Sequence, residues 1–249
     1  MKYGICHLGV IPLRKENNHK SELVSQLLYG EAFKIIDQRK DWYKIRLLWD
    51  AYEGWITHHQ ATLIEETHYN KIQQEDFSCT QNLIDFVHLN KEEIFPVPLG
   101  SDLRGLEILN HRFENDEPPA KLVKEELVKT AYKFLHTPYL WGGKTPFGID
   151  CSGLTQMVYK IHGHSLKRDA CQQARQGTTL SFIDESEPGD LAFFDNNEGD
   201  IIHVGILLQN HFIIHAHGQV RIDRIDQTGI FNAEKQTHSH KLRLIKSML

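Results

Sequence analysis

The sequence predicts an α+β protein: one or two small β barrels, then a domain of helices followed by antiparallel sheet. Three observations lead there. The first sixty residues hold short runs rich in β-branched and aromatic residues between polar turns. From Lys121 apolar residues recur at helical spacing, and from Leu191 the chain returns to short strand-like runs. A length of 249 residues suits one large domain or two to three small ones. The boundaries are read at 1–62 (barrel), 63–118 (second, degenerate barrel and linker) and 119–249 (domain of helices and sheet).

FKIID (33–37), WYKIRLLW (42–49) and EGWITHH (53–59) read as strands of the first barrel. In the next segment FVHLNKEEIFPVPLGS (86–101) and GLEILNHRF (105–113) are candidate strands, and Pro96 and Pro98 confine the former to an edge or loop. Glu117-Pro118-Pro119 reads as a linker. Val123, Leu127, Ala131 and Phe134/Leu135 predict an amphipathic helix over 120–135, ended by Thr137-Pro138. A Gly/Pro-rich loop covers 139–149. In DCSGLTQMVYKIHG (150–163), Leu154, Val158 and Ile161 share a helical stripe, with Asp150 as N-cap and Gly163 as C-cap. Strands are expected at 191–194, 201–208, 211–218, 220–225 and 241–245.

Composition narrows the function. Lys+Arg 28 against Asp+Glu 33 gives a net charge of −5, which argues against nucleic acid as the main partner. No run approaches the roughly 20 apolar residues of a membrane span. Cys6, Cys79, Cys151 and Cys171 show no CxxC spacing, so they read as reduced thiols in a reducing compartment. Pro12 and the charged run RKENNHK break the apolar start, so no secretory signal is read. The expected location is cytoplasmic, or periplasmic or secreted if a leader has been removed; the expected state is a monomer.

The residue that points to chemistry is Cys151. A helix N-terminus offers unpaired N–H groups and the positive end of the dipole, which favour a thiolate. The Gly-rich loop before it leaves room for a substrate backbone. A nucleophilic Cys needs a base. His203 lies in GDIIHVGILL and His215 in FIIHAHG, read as neighbouring antiparallel strands. A turn centred on Gln209 sets 203 opposite 215, with both imidazoles on one face. His217 shares that face, so parity does not choose between 215 and 217. Cys171, in RDACQQARQG, reads as a packing residue on a helix.

PYLWGGKTPFGIDCSGLTQMVY resembles the signature of the NlpC/p60 family of papain-like cysteine peptidases. The matching residues are Tyr139, Trp141, Gly142, Gly143, then Asp150, Cys151, Ser152 and Gly153, then Pro188-Gly189-Asp190-Leu191, Phe193-Phe194, His203 and His215. Gly30-Glu31, Trp42 and Gly54-Trp55-Ile56 resemble bacterial SH3-like domains. The resemblance implies a γ-D-glutamyl-L-diamino acid endopeptidase acting on peptidoglycan stem peptides. Cys151 is then the nucleophile, His203 the base and His215 the orienting residue. It further implies the Cys151 N–H and the Tyr139 hydroxyl at the oxyanion, with Trp141 toward the substrate. Asp150 and Ser152 line the groove, or Asp150 is only a helix cap. The pairing of such barrels with this domain resembles enzymes that act on free stem peptides in cell-wall recycling, where an acidic barrel residue meets the L-Ala amine. Glu22 is the candidate, Glu31 the alternative, and Tyr52 supports either.

No cofactor and no metal are expected. HAH (215–217), His58-His59 and THSH (237–240) offer imidazoles, but HExxH and paired-Cys spacings are absent. The rival readings are a non-catalytic wall-binding protein, a secreted hydrolase of intact wall, and an acyltransferase of related fold.

Overall fold

The structure, a computed structural model, describes residues 2–114, 120–233 and 235–249. The linker read at 117–119 lies outside them. The chain divides into two compact units, Met1–Ala120 with Trp141–Thr145, and Lys121–Leu140 with Pro146–Leu249.

In the first unit the strands expected from residue 33 onward are β4 (Ala32–Arg39), β5 (Trp42–Leu47) and β6 (Glu53–Thr57). Three strands precede them: β1 (Lys2–Ile5), β2 (Val10–Arg14) and β3 (Leu23–Leu28). With β7 (Thr62–Ile64) they form one antiparallel sheet in the order β3-β2-β6-β5-β4-β1-β7. Period-two alternation places Tyr43, Ile45 and Leu47 of β5 on the same inner face as Ile11, Leu13, Leu27, Phe33 and Ile56. Burial of that face is what holds this small barrel together.

The second, degenerate barrel expected over 63–118 is not formed by the described residues. This stretch gives β7 to the first sheet, a helix α1 (Glu66–Gln74), and a two-stranded ribbon of β8 (Ile84–His88) and β9 (Ile94–Pro98). Pro96 and Pro98 fall in β9 and have no N–H to offer a further strand. GLEILNHRF makes turns, with one bridge from Arg112 to His88. Its Leu106 and Leu109, with Phe113, pack beside Tyr29, Val87 and Val97, so its apolar spacing reflects packing of a turn.

The segment Trp141–Thr145 is built into this first unit. The Lys144 N–H donates to Gln26 Oε1 at 2.7 Å. Its ammonium, 1% exposed, meets Glu31 Oε1 at 3.3 Å. Glu31 Oε2 accepts the Leu28 N–H at 2.8 Å. Gly142 has φ +79, and a Cβ there would lie 2.4 Å from the Leu23 carbonyl oxygen. Lys144–Thr145 is the short strand β10.

The second unit starts with α2 (Lys124–Lys133), inside the predicted 120–135. After the short strand β11 (Gly148–Ile149) comes α3 (Cys151–Ile161), capped by Asp150, with Gly163 at φ +76 just past its end. One turn of helix, α4 (Ala170–Gln173), leads to β12 (Thr178–Leu180), β13 (Leu191–Asp195), β14 (Ile201–Leu208), β15 (Phe212–His217), β16 (Gln219–Ile225), β17 (Gly229–Asn232) and β18 (Thr237–Ser247). The sheet order is β12-β18-β13-β14-β15-β16-β17, and β17 pairs back onto β18. Strands β13 to β18 therefore close on themselves around Ala192, Phe194, Leu207, Ile213, Ile225, Ile230 and Ile245. Helix α3 packs on β14 and β15.

Two expectations change here. A single apolar stripe was read on α3, yet all eleven of its residues are buried. Its polar side chains find partners: Tyr159 Oη donates to the Gly189 carbonyl at 2.6 Å, Thr155 Oγ1 to Gln173 Oε1 at 2.7 Å, and Gln156 Nε2 to the Leu166 carbonyl at 3.0 Å. Cys171, read as packing, is exposed on α4.

Gly142→Ala should destabilise the first unit by roughly 1–3 kcal/mol, because a Cβ is strained at positive φ and meets backbone. Urea midpoints measure this; an unchanged midpoint would show that the loop can move aside.

Candidate active site

Cys151 is the first residue of α3 and is 6% exposed. Asp150 caps the helix: its Oδ1 accepts the Gly153 N–H at 2.6 Å. That carboxylate is gripped from the other side by the buried Arg168, with Nη2 to Oδ2 at 2.6 Å and Nη1 to Oδ1 at 3.0 Å. Arg168 Nη1 also reaches Ser152 Oγ at 3.0 Å. Asp150 thus takes the capping role, and both Asp150 and Ser152 are buried and committed to Arg168. An ionised carboxylate beside the nucleophile needs such a counter-charge, since a buried unpaired charge is costly. Arg168 went unnoticed in sequence because an Arg eighteen positions downstream carries no local signal.

Burial works against the thiolate that the helix start favours. Burial, then the charge of Asp150, pushes the Cys151 thiol up to about 12. The Val204 N–H, Arg168 and the Ser152 N–H pull the other way and do not offset burial. Tyr139 stands close enough that a Cys151 charge would raise its phenol, which burial already raises. Tyr139 is therefore a neutral O–H donor beside the sulfur.

His203 is on β14 and His215 on β15, with side chains on the inner face of the barrel. The turn between them centres on Asn210, where Asn210 and His211 both take left-handed φ of 57°, and not on Gln209. The pairs are 208 with 212 and 206 with 214, so His203 and His215 are not directly opposite. Extending that register sets Gly205 against His215. A Cβ at Gly205 would lie 2.9 Å from His215 Cβ and 2.7 Å from Ile213 Cδ1. The missing side chain lets the His215 ring lean across the sheet diagonal to His203. His203 Nε2 and His215 Nδ1 are 2.9 Å apart, with the rings at 85°. Between the two candidates left open by parity, His215 makes this bond; His217 is exposed, its ring 6.3 Å from that of His215.

A residue that the sequence reading missed stands behind His215. Asp223 of β16, 8% exposed, takes His215 Nε2 on its Oδ2 at 3.0 Å. Arg221 holds the same carboxylate, Nε to Oδ2 at 2.7 Å and Nη2 to Oδ1 at 3.0 Å. The signal was present: Arg221 and Asp223 share the inward parity of Ile225. Alternation could not say which face of VRIDRI was inward, because apolar residues fall on both. Burial first, then His215, holds His203 well below the usual imidazole range. His215 is lowered by burial against the opposing pull of Asp223. His240 of β18 stacks on His203 at 4.2 Å and 26°, and burial lowers it to about 4. Near neutral pH this is a chain of uncharged imidazoles ended by a carboxylate. Among the described residues no group of three or more His, Cys, Asp or Glu is arranged to hold a metal ion.

The remaining sequence candidates lie in the first unit. Trp141 is 59% exposed, and its Nε1 donates to Glu22 Oε1 at 2.8 Å. Glu22 Oε2 takes Lys15 at 3.2 Å, and the Trp141 bond foremost lowers its carboxyl. Tyr52 packs partly buried against the barrel core. The alternative Glu31 is corrected by its setting: it is 4% exposed and already paired with Lys144, so it has no free face for a substrate amine.

Residues 136–239 match the NlpC/P60 family, and residues 13–60 match the bacterial dipeptidyl-peptidase Sh3 domain. The chain is therefore a cysteine peptidase. It carries an NlpC/P60 domain behind a bacterial SH3 domain. It is 28% identical over 231 residues to a gamma-D-glutamyl-L-lysine dipeptidyl-peptidase of Bacillus cereus, covering 79% of this chain and 68% of the relative. It is 27% identical to dipeptidyl-peptidase 6 of Lysinibacillus sphaericus, covering 86% and 89%. In fold it is similar to the crystal structure of an NlpC/P60 family protein from Bacillus cereus, with TM-score 0.78 at 19% identity over 99% of both chains. No described helix is long and apolar enough to cross a membrane.

A buried thiol lifted to about 12 predicts that alkylation of Cys151 by iodoacetamide keeps accelerating beyond about pH 9. Mass spectrometry of the labelled peptide follows it. A plateau already reached near neutrality would mean a preformed thiolate and overturn the neutral resting pair.

Proposed function

We propose that this protein hydrolyses the γ-D-glutamyl-L-diamino acid bond of free peptidoglycan stem peptides, in cell-wall recycling. The observation that carries the chemistry is the 2.9 Å bond from His203 to His215, with Cys151 at a helix start against the next residue, Val204. The substrate reading is supported by relatives named for gamma-D-glutamyl-L-lysine dipeptidyl-peptidase activity. With burial favouring the thiol, His203 takes the Sγ proton as sulfur attacks the glutamyl carbonyl carbon. The carbonyl oxygen gains the negative charge, and the Cys151 N–H and the Tyr139 hydroxyl hydrogen-bond it. Collapse breaks the C–N bond, and His203 returns the proton to the leaving amine. Water then cleaves the thioester with His203 again as base. Ionised, exposed and flanked by the Trp141 ring, Glu22 suits a substrate ammonium better than Glu31 does.

Cys151→Ala should abolish hydrolysis, while Cys6→Ala, Cys79→Ala and Cys171→Ala stay active. His203→Ala should lose nearly all turnover and His215→Ala less, within the roughly 10²–10⁴-fold that general acid–base catalysis is worth. Near-full turnover in Cys151→Ala would end the nucleophile assignment.

The substrate reading is tested with L-Ala-γ-D-Glu-diaminopimelate, its Lys counterpart, their N-acetylated forms and intact sacculi, with products read by mass spectrometry. Free tripeptides should be cut well, acetylated ones poorly and sacculi worst. Glu22→Gln should raise KM for the free peptide by about ten-fold or more, the value of one charge-assisted hydrogen bond. Comparable rates on free peptide and sacculi would replace recycling with hydrolysis of intact wall.

A further inference from the structure

We infer that Asp223 is a positioning residue that fixes the proton direction of the whole histidine chain, so that His203 presents a bare Nδ1 to Cys151. The inference rests on the proposed peptidase reading for its consequence, but the argument is geometric. A bond between two neutral imidazoles has no preferred direction. Either His203 Nε2–H donates to a bare His215 Nδ1, or His215 Nδ1–H donates to a bare His203 Nε2. The second arrangement puts the His203 proton on Nδ1 and leaves that nitrogen without a lone pair, so it cannot receive the thiol proton.

The carboxylate breaks the tie. An ionised carboxylate only accepts. Asp223 Oδ2 lies 3.0 Å from His215 Nε2, so that nitrogen carries the hydrogen. His215 Nδ1 is then bare and can only accept, which makes His203 Nε2 the donor across 2.9 Å. His203 is left with its lone pair on Nδ1.

Arg221 makes this reliable. Its guanidinium, bonded to Oδ1 and ion-paired with Oδ2, favours the ionised Asp223, and its charge balances the carboxylate, so His215 is not drawn into becoming a cation. The groups facing His215 are His203 from β14, His217 on its own strand, Asp223 and Arg221 from β16, and His240 from β18. None but Asp223 combines a full negative charge with a direct bond to His215.

The test is ¹⁵N NMR of the histidine side chains near neutral pH, with Cys151 alkylation and peptide turnover measured beside it. The wild type should show His203 and His215 protonated at Nε2 and bare at Nδ1. Asp223→Ala should lose this pattern for His203. It should alkylate more slowly and cut kcat by roughly 10²-fold or more at nearly constant KM. A wild type with His215 protonated at Nδ1 overturns the inference, whether or not the variant folds. So does an Asp223→Ala protein in which either the tautomers or the alkylation rate stay as in the wild type. A wild type that cleaves no stem peptide defeats the peptidase reading instead, and the spectra and alkylation still decide this one.

Discussion

Removal from water is the constraint from which the site follows. His203, His215 and Asp223 point inside one end of a closed barrel, and burial is the largest influence on both imidazoles and on the Cys151 thiol. In that setting an unpaired charge is very costly and an unpartnered polar atom costly too, though less so. The resting site is therefore neutral where it can be. Where it must hold a charge, at Asp150 and at Asp223, an arginine stands across from it. The two Arg–Asp pairs flank the reacting groups from opposite sides, one at the helix start and one behind the histidines. Their net charge is near zero, so neither biases the thiol and imidazole strongly toward an ion pair before substrate arrives.

The register of three strands turns this chemistry into geometry. Because the β14–β15 turn centres on Asn210, the two histidines meet on a diagonal, and Gly205 supplies the space for that lean. The β15–β16 turn then sets 213 against 223, which brings the carboxylate one step beyond His215. A shift of one residue in either turn would move these side chains to the other face of the sheet.

Much of this was legible in sequence. The strands read at 201–208, 211–218 and 220–225 were visible as alternating runs, within a residue of the observed bounds. The helix start at Cys151 was visible from the Asp150 cap and the Gly163 stop. The shared face of His203 and His215 followed from assuming an odd-numbered turn, although its centre is Asn210 and not Gln209. What could not be read depended on contacts far apart in the chain. Arg168 reaches back eighteen residues to Asp150, and Asp223 looks like any strand carboxylate until its neighbour is known. The opposition to a thiolate was hidden for the same reason: a helix dipole is a local property, whereas the desolvation that works against it comes from everything packed around the sulfur. In the first unit, the stretch read as a second barrel kept its apolar residues but used them to pack turns and a helix.

Helix α3 has no face toward solvent, and its polar residues are tied to Gly189, Gln173 and Leu166. A helix held on every side has no cheap local opening. Its interior amides reach water mainly when the surrounding unit opens, so their hydrogen exchange should report the free energy of global unfolding. The nucleophile is carried by this helix. Its position is thus as persistent as the fold itself, and flexibility needed for substrate entry or product exit has to come from the loops around it.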